Sequence, residues 1–341
     1  MAMCMAPIRT GWTPQGKVSW RSPWYLRPMT LALFAACSPS FDDSGALPTC
    51  DIDVMETLPA DGSTQAYYRG PFEFVLEQAV PTAEVIADFP GEQGLRKEGT
   101  VITFAPDPPL EPLTDYTLGL DYCHGKPEIT FKTSELGLPI EDEDSLVGRT
   151  YAVDLTSGDF LESDLVGTVL TGFFGRNVLV QIVDRADGDI TFRAAISQAG
   201  SSGRLEQDTC SRSQDLDLDS TELPFVQLEL EEFSFGAYEG SMTFYHFALD
   251  GTISPGASWI GGLAWTITVS ADDLVPILEA PDVETVCETA ANLEAECVPC
   301  PSGDDLCITV SGHRVVADAV EGDLEDITES GTHPECDEEA E

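Results

Sequence analysis

Cys297-Val-Pro-Cys300 has the most chemically distinctive spacing in this 341-residue chain. Two thiols two residues apart make a redox pair when a helix N-terminus or a nearby cation lowers one thiol's pKa. Here the pair follows a helix-like stretch and runs into the loop Pro301-Ser302-Gly303, so that activation is not expected. Cys297, Cys300 and Cys307, with His313 as fourth ligand, form a second candidate, a zinc set. The second Cys-x-x-Cys or His pair that usually completes such a site is absent. Structural disulfides are the favoured reading. Eight cysteines (Cys50, Cys123, Cys210, Cys287, Cys297, Cys300, Cys307 and Cys336) follow position 37, two before an acidic linker and six after it. One bridge plus three is the expectation, and six cysteines allow fifteen pairings.

Other chemistry finds less support. No Gly-x-Ser-x-Gly elbow and no His-Glu-x-x-His occur. Gly172-Phe-Phe-Gly175 and Gly261-Gly262 open no helix and precede no Lys, so neither is a phosphate loop. With 61 acidic residues, any chosen carboxylate pair is uninformative as a glycosidase signature. Asp184-Arg-Ala-Asp187-Gly188-Asp189 lacks the alternate acids and closing Glu of a calcium loop and reads as a hairpin. Asp215-Leu-Asp-Leu-Asp219 puts alternate acids on one face of an extended segment. Phe244, Tyr245, Phe247, Trp259 and Trp265 are read as core aromatics with at least one on an outer face, against a sugar- or lipid-binding surface as the sharper alternative. No catalytic residue, metal or cofactor is expected.

The composition bounds partners and address. Sixteen basic residues face 61 acids, a net charge of −45, and such a field repels nucleic acid. Residues 1–36 invert that balance, with Arg9, Lys17, Arg21 and Arg27 and no acid. An apolar run, Met29 to Ala36, follows, too short to span a bilayer. This pattern describes a secretory signal. Leu33-Phe34-Ala35-Ala36-Cys37 resembles the lipobox of bacterial lipoproteins, with Phe34 in place of the usual Leu. That resemblance implies cleavage before Cys37, its lipidation, loss of Cys4, and a lipidated tether over 37–47. Ser38 implies outer-membrane sorting. Twelve of the 16 basic residues and all 61 acids would remain, a net charge of −49. The membrane partner is then an acyl anchor.

The elements that must carry these residues are mostly strands. Residues 48–136 hold short β-rich runs between turns: Phe72–Leu76, Val101–Phe104, Thr117–Tyr122 and Ile129–Thr133. Pro59-Ala-Asp-Gly62, Thr103-Phe-Ala-Pro106, Leu110-Glu-Pro-Leu-Thr-Asp-Tyr-Thr117 and Phe131-Lys-Thr133 follow in order. That order resembles the bacterial Ig-like domain of the surface-layer type. The resemblance implies an antiparallel β-sandwich, a spacer or adhesion role and no catalytic residues. Tyr116 would be a corner residue bonding backbone, and a Cys50–Cys123 bridge would tie the clipped loop after strand 117–122 to the first strand.

Residues 137–145 read as a solvated acidic linker, and residues 146–320 as a second all-β domain, a sandwich or an open barrel. Glu231-Glu232 breaks the alternation begun at Val226 and predicts a bulge or kink. After Ser270 the period changes to two short helices, with Asp282 as N-cap and Val283, Val286 and Ala290 on one face, leading into the Cys-rich loop. Residues 321–341, with ten acids and no Lys or Arg, read as a disordered acidic tail, with Cys336 as its one point of attachment. The expectation is a non-enzymatic exported lipoprotein with a cell-surface protein or glycan partner. The alternatives are an outer-membrane carrier of an apolar or sugar ligand and a glycoside hydrolase-like enzyme.

Overall fold

Phe72, Phe74 and Leu76 alternate inward on one strand and are 1%, 0% and 2% exposed, the inward face that their spacing predicts. The structure is a computed structural model describing residues 52–89, 95–122, 126–154, 158–160, 177–186, 189–200, 203–219, 223–231, 233–237, 240–278, 280–292, 295–303, 305–329 and 336. Cys37 and the signal, Cys50, Cys123 and the bridge between them, and Gly172–Gly175 lie outside the described residues.

Seven strands build the first half: β1 (Val54–Leu58), β2 (Phe72–Leu76), β3 (Glu84–Ala87), β4 (Arg96–Glu98), β5 (Val101–Phe104), β6 (Asp115–Asp121) and β7 (Glu128–Lys132). They form two antiparallel sheets, ordered β1-β2-β5-β4 and β3-β6-β7. Between them Phe72, Phe89, Phe104 and Phe131 pack edge-on or tilted, with ring centroids 5.1 Å apart for Phe72–Phe131. The Tyr116 hydroxyl accepts the Glu111 backbone N–H at 3.0 Å, so Tyr116 holds a corner.

The second half is a ring. Its eight strands are β8 (Thr150–Val153), β10 (Val178–Ala186), β11 (Asp189–Ala199), β13 (Gln214–Asp219), β14 (Phe225–Leu230), β16 (Gly240–Ile253), β17 (Trp259–Ser270) and β19 (Leu306–Val320). Each pairs antiparallel with the next in chain order, and β19 returns to pair with β8. The expected sandwich or open barrel is therefore, among the described residues, an eight-stranded up-and-down barrel, with β13 and β14 joined through the one register pair Asp219 and Gln227. Four short strands extend it: β9 (Asp159–Phe160) and β18 (Cys297–Pro299) on β19, β12 (Leu205–Gln207) on β11, and β15 (Phe233–Ala237) on β16. The chain breaks between β14 and β15 where the doubled acid predicts a kink, and both pieces keep one register on β16.

Eight strands leave an interior that side chains can fill. Here Tyr151, Phe192, Phe244 and Trp265 lie in one core with Ile182, Ile190, Ile267 and Val310. The Tyr151 hydroxyl donates to Ala257 O at 3.2 Å, and burial pushes its phenol up to about 12. On β13 Leu216 faces this core, while exposed Asp215 and Asp217 meet Arg193 and Thr191.

Helices α1 (Ala271–Ile277) and α2 (Val283–Asn292) follow β17. The Ser270 hydroxyl caps α1 by accepting Asp272 N–H at 3.2 Å, and Asp282 caps α2 by accepting Thr285 N–H at 2.9 Å. These bonds to Thr285 hold the Asp282 carboxyl below its usual range. Val286 and Ala290 are the buried face of α2. The six later cysteines pair as Cys210–Cys336, Cys287–Cys297 and Cys300–Cys307. The Cys-x-x-Cys thiols are thus joined to two different partners, which removes the redox pair and the zinc set together.

Two segments differ from their reading. The four acids Glu141 to Asp144 are exposed as expected, yet the linker is docked: Ile140 and Leu146 enter the barrel core, and Glu141 N–H donates to Pro255 O at 2.9 Å. The acidic C-terminal segment is also not free over 322–327, where Leu324 and Ile327 are buried on the barrel wall. Apolar residues spaced among acids outweigh the acids' solvation once a wall is available to them.

Candidate functional site

Tyr67-Tyr68-Arg69 precede β2 and face the outside of the barrel. Three side chains with burial-shifted titration, Tyr67, Asp250 and His313, gather here, and the place is a seam between sandwich and barrel. The strands fix its geometry. Outward-facing Thr252 on β16 shares a 2.8 Å hydrogen bond with the Tyr67 hydroxyl and lies 3.4 Å from that of Tyr68. Arg69 donates to the Tyr68 hydroxyl at 3.1 Å and stacks 3.6 Å above the Phe225 ring. Trp259 leaves the barrel and packs into the sandwich core.

Gly262 makes this approach feasible. Its φ is +62°, and a Cβ there would sit 2.2 Å from the Tyr67 ring. A Cβ on Gly261 would strike Trp259 and Leu136. The glycine pair thus serves close packing between two bodies, a role its spacing alone does not announce.

Three titratable groups are perturbed at the seam. Burial pushes the Asp250 carboxyl up to about 6, with Arg69 pulling it back down. Burial also holds the Tyr67 phenol above its ordinary range. His313 is 6% exposed, and neither ring nitrogen has a hydrogen-bond partner among the described residues. Its Nε2 lies 3.9 Å from Glu73 Oε1 on β2. Burial lowers the imidazole pKa, and Glu73 opposes that shift.

This is the chemistry of a joint. The charged group acting on Asp250 is an arginine, not a second carboxylate, and the paired-carboxylate arrangement of a glycosidase needs the latter. Asp184 and Asp189 belong to the β10–β11 hairpin, where Ala186 opposes Asp189, and Arg185 pairs with Glu143. Among the described residues no group of three or more metal-ligating side chains converges. An open depression of about 200 Å³ lies on the sandwich between Ser63, Tyr116, Thr130 and Lys132.

Of the flagged aromatics, Phe244 and Trp265 are interior, Phe247 is half-buried against that core, and Trp259 faces the sandwich. Tyr67, Arg69 and Asp250 carry no motif. The signal available was an Arg beside two Tyr in a chain with only 16 basic residues.

Asp250 sets a pH dependence with a definite sign. Its folded pKa exceeds the unfolded value, so its contribution is fully present below about pH 3.8 and is lost as pH rises through about 6. Asp250→Asn stays neutral and should remove that loss, on the order of 2 kcal/mol. His313, lowered in the fold, acts oppositely: its contribution is present above about pH 6.5 and is lost as pH falls through the depressed value. Urea titrations should show the variant gaining on wild type as pH rises to about 6 and keeping a level advantage beyond it, over the range pH 4 to 8. A constant difference across that range would contradict the assignment.

No family model matches this chain, and no curated protein does. Among solved structures, an L,D-transpeptidase from Mycobacterium smegmatis is similar over 45% of this chain and 78% of that one, at 14% identity and a TM-score of 0.21. A likeness at that level carries no argument about activity.

Proposed function

We propose that the chain is an exported, lipid-anchored protein of the bacterial cell envelope that acts as a non-enzymatic spacer or binding module. The carrying observation is that all six cysteines from Cys210 onward are paired in bridges, the state of an oxidising compartment. The basic segment ending in the lipobox-like Cys37 supplies the address. In this reading residues 48–136 are an Ig-like module of the surface-layer type. Two of its motif residues have physical work that supports the resemblance: Asp61 accepts Thr130 N–H at 2.8 Å, tying the opening turn to β7, and Tyr116 holds its corner. The docked linker makes sandwich and barrel one presenting body.

The closed ring favours a second reading, an outer-membrane carrier with an apolar or sugar ligand inside the barrel. Tyr151, Phe192, Phe244 and Trp265 occupy that interior, so the first reading is preferred.

The test is metabolic labelling with an alkyne palmitate. Wild type should take up label and sediment with membranes. Cys37→Ala should lose the label and become soluble after export. An unlabelled wild type, or identical fractionation of the two, would refute the anchor.

A further inference from the structure

Residues 322–327 cross the outer face of β8, β10 and β11, and the barrel meets their backbone with side chains instead of a strand. Thr150 Oγ1 donates to Gly322 O at 2.6 Å. Gln181 uses both ends of its amide: Nε2 donates to Asp323 Oδ1 at 2.9 Å, and Oε1 accepts Leu324 N–H at 2.9 Å. Gln207 brackets Glu325, donating to its carbonyl at 3.0 Å and accepting its N–H at 2.6 Å. Ser213 does the same for Ile327, its backbone N–H donating at 2.9 Å and its hydroxyl accepting at 2.8 Å. Leu324 packs on Leu179 and Ala195. Arg193 Nη1 reaches Leu324 O at 3.4 Å and Nη2 lies 3.7 Å from Asp326, while Arg204 pairs with Glu321.

This wall is not built to stand bare. With residues 322–327 in place, Gln181 and Gln207 are 4% and 9% exposed, and both ends of each amide are committed to that segment. Amides that bracket a peptide unit read backbone whatever the side chain. The apolar seats for Leu324 and Ile327, three residues apart, and two arginines from a chain with 16 basic residues set the preference.

We infer that this face is a peptide-recognition groove for an extended acidic segment of the pattern Leu-x-x-Ile, filled in cis by residues 322–327 and able to take such a segment from another chain when its own is displaced. Tethering gives the cis segment a high effective concentration, so wild type holds its groove closed to competitors.

The probe is a fluorescein-labelled peptide with the sequence of residues 321–330. In the full chain carrying Leu324→Ser, Ile327→Ser and Cys336→Ser, fluorescence anisotropy should show saturable binding at least tenfold tighter than to wild type. Adding Gln207→Ala should weaken it at least tenfold. Equal binding of a scrambled peptide would overturn the inference. Should that variant fail to fold, wild type answers alone, because exchange at Cys210 covalently traps each transient release of its own segment. A peptide of residues 321–336 carries its own Cys; that thiolate attacks Cys210 Sγ, the Cys210–Cys336 bond breaks, and Cys336 leaves as a thiol holding the proton. One disulfide replaces another without net oxidation. The adduct on Cys210, measured by mass spectrometry, should form at least fivefold faster than with the scrambled peptide. Equal rates would refute a groove.

Discussion

Gly262→Ala should destabilise the protein by roughly 2–5 kcal/mol, because it adds overpacking and a disfavoured backbone to one position. The methyl group would sit 2.2 Å from the Tyr67 ring, and the residue would keep a φ of +62°. Neither problem relaxes easily. Tyr67 is bonded to Thr252 at 2.8 Å, and β17 is held on both sides, by β16 and β19. The melting midpoint should fall by about 5–15 °C. A double-mutant cycle separates the two causes. Tyr67→Ala removes the ring, so in that background Gly262→Ala should cost about 1–3 kcal/mol less, leaving the backbone penalty. Additive losses would mean that the seam does not need the close approach.

Loss of the Cys210–Cys336 bridge, by Cys210→Ser with Cys336→Ser, should cost about 5 kcal/mol from the loop-closure entropy of a bridge spanning 126 residues. The same reasoning assigns only about 2.5 kcal/mol each to Cys287–Cys297 and Cys300–Cys307, whose separations are 10 and 7 residues. The ranking is the sharper claim, since chain entropy sets order better than size. Guanidinium midpoints of the three double serine variants should place the long bridge first by a clear margin. A smaller loss than for the 7-residue bridge would mean that the side-chain bonds along 322–327 already pin the segment.

How much could be read in the residues follows from what local pattern encodes. β2, β5, β6 and β7 alternate apolar and polar residues and were legible. β1, β3 and β4 were not: β3 has only half-buried Val85 and Ala87 on one side, and β4 is Arg-Lys-Glu. The α2 cap and buried face were legible because Asp282, Val286 and Ala290 obey a single 3.6-residue period. Ring closure was not, since the pairing of Thr150 with Val320 leaves no local trace. The seam was hidden for a related reason. Asp250 is one of 61 acids, and only burial against Arg69 distinguishes it. Gly261-Gly262 was visible as a glycine pair, but its purpose belongs to a tyrosine nearly two hundred positions earlier.

The β8–β19 pairing also dictates an order of events. Tyr151 opposes Ala319 and Thr150 opposes Val320, so the barrel cannot seal until the chain has emerged through Val320. Before that moment the incomplete sheet has two bare edges, one on β8 and one on β17, with Trp265 and its neighbours uncovered. Long-range closure of this kind makes for slow folding and a growing chain open to edge-to-edge association. A polypeptide of this topology is best kept unfolded until its last strand is available. The closing contact thus acts as a quality check on completeness: a chain cut short of residue 306 lacks the strand that turns an adhesive sheet into a sealed one.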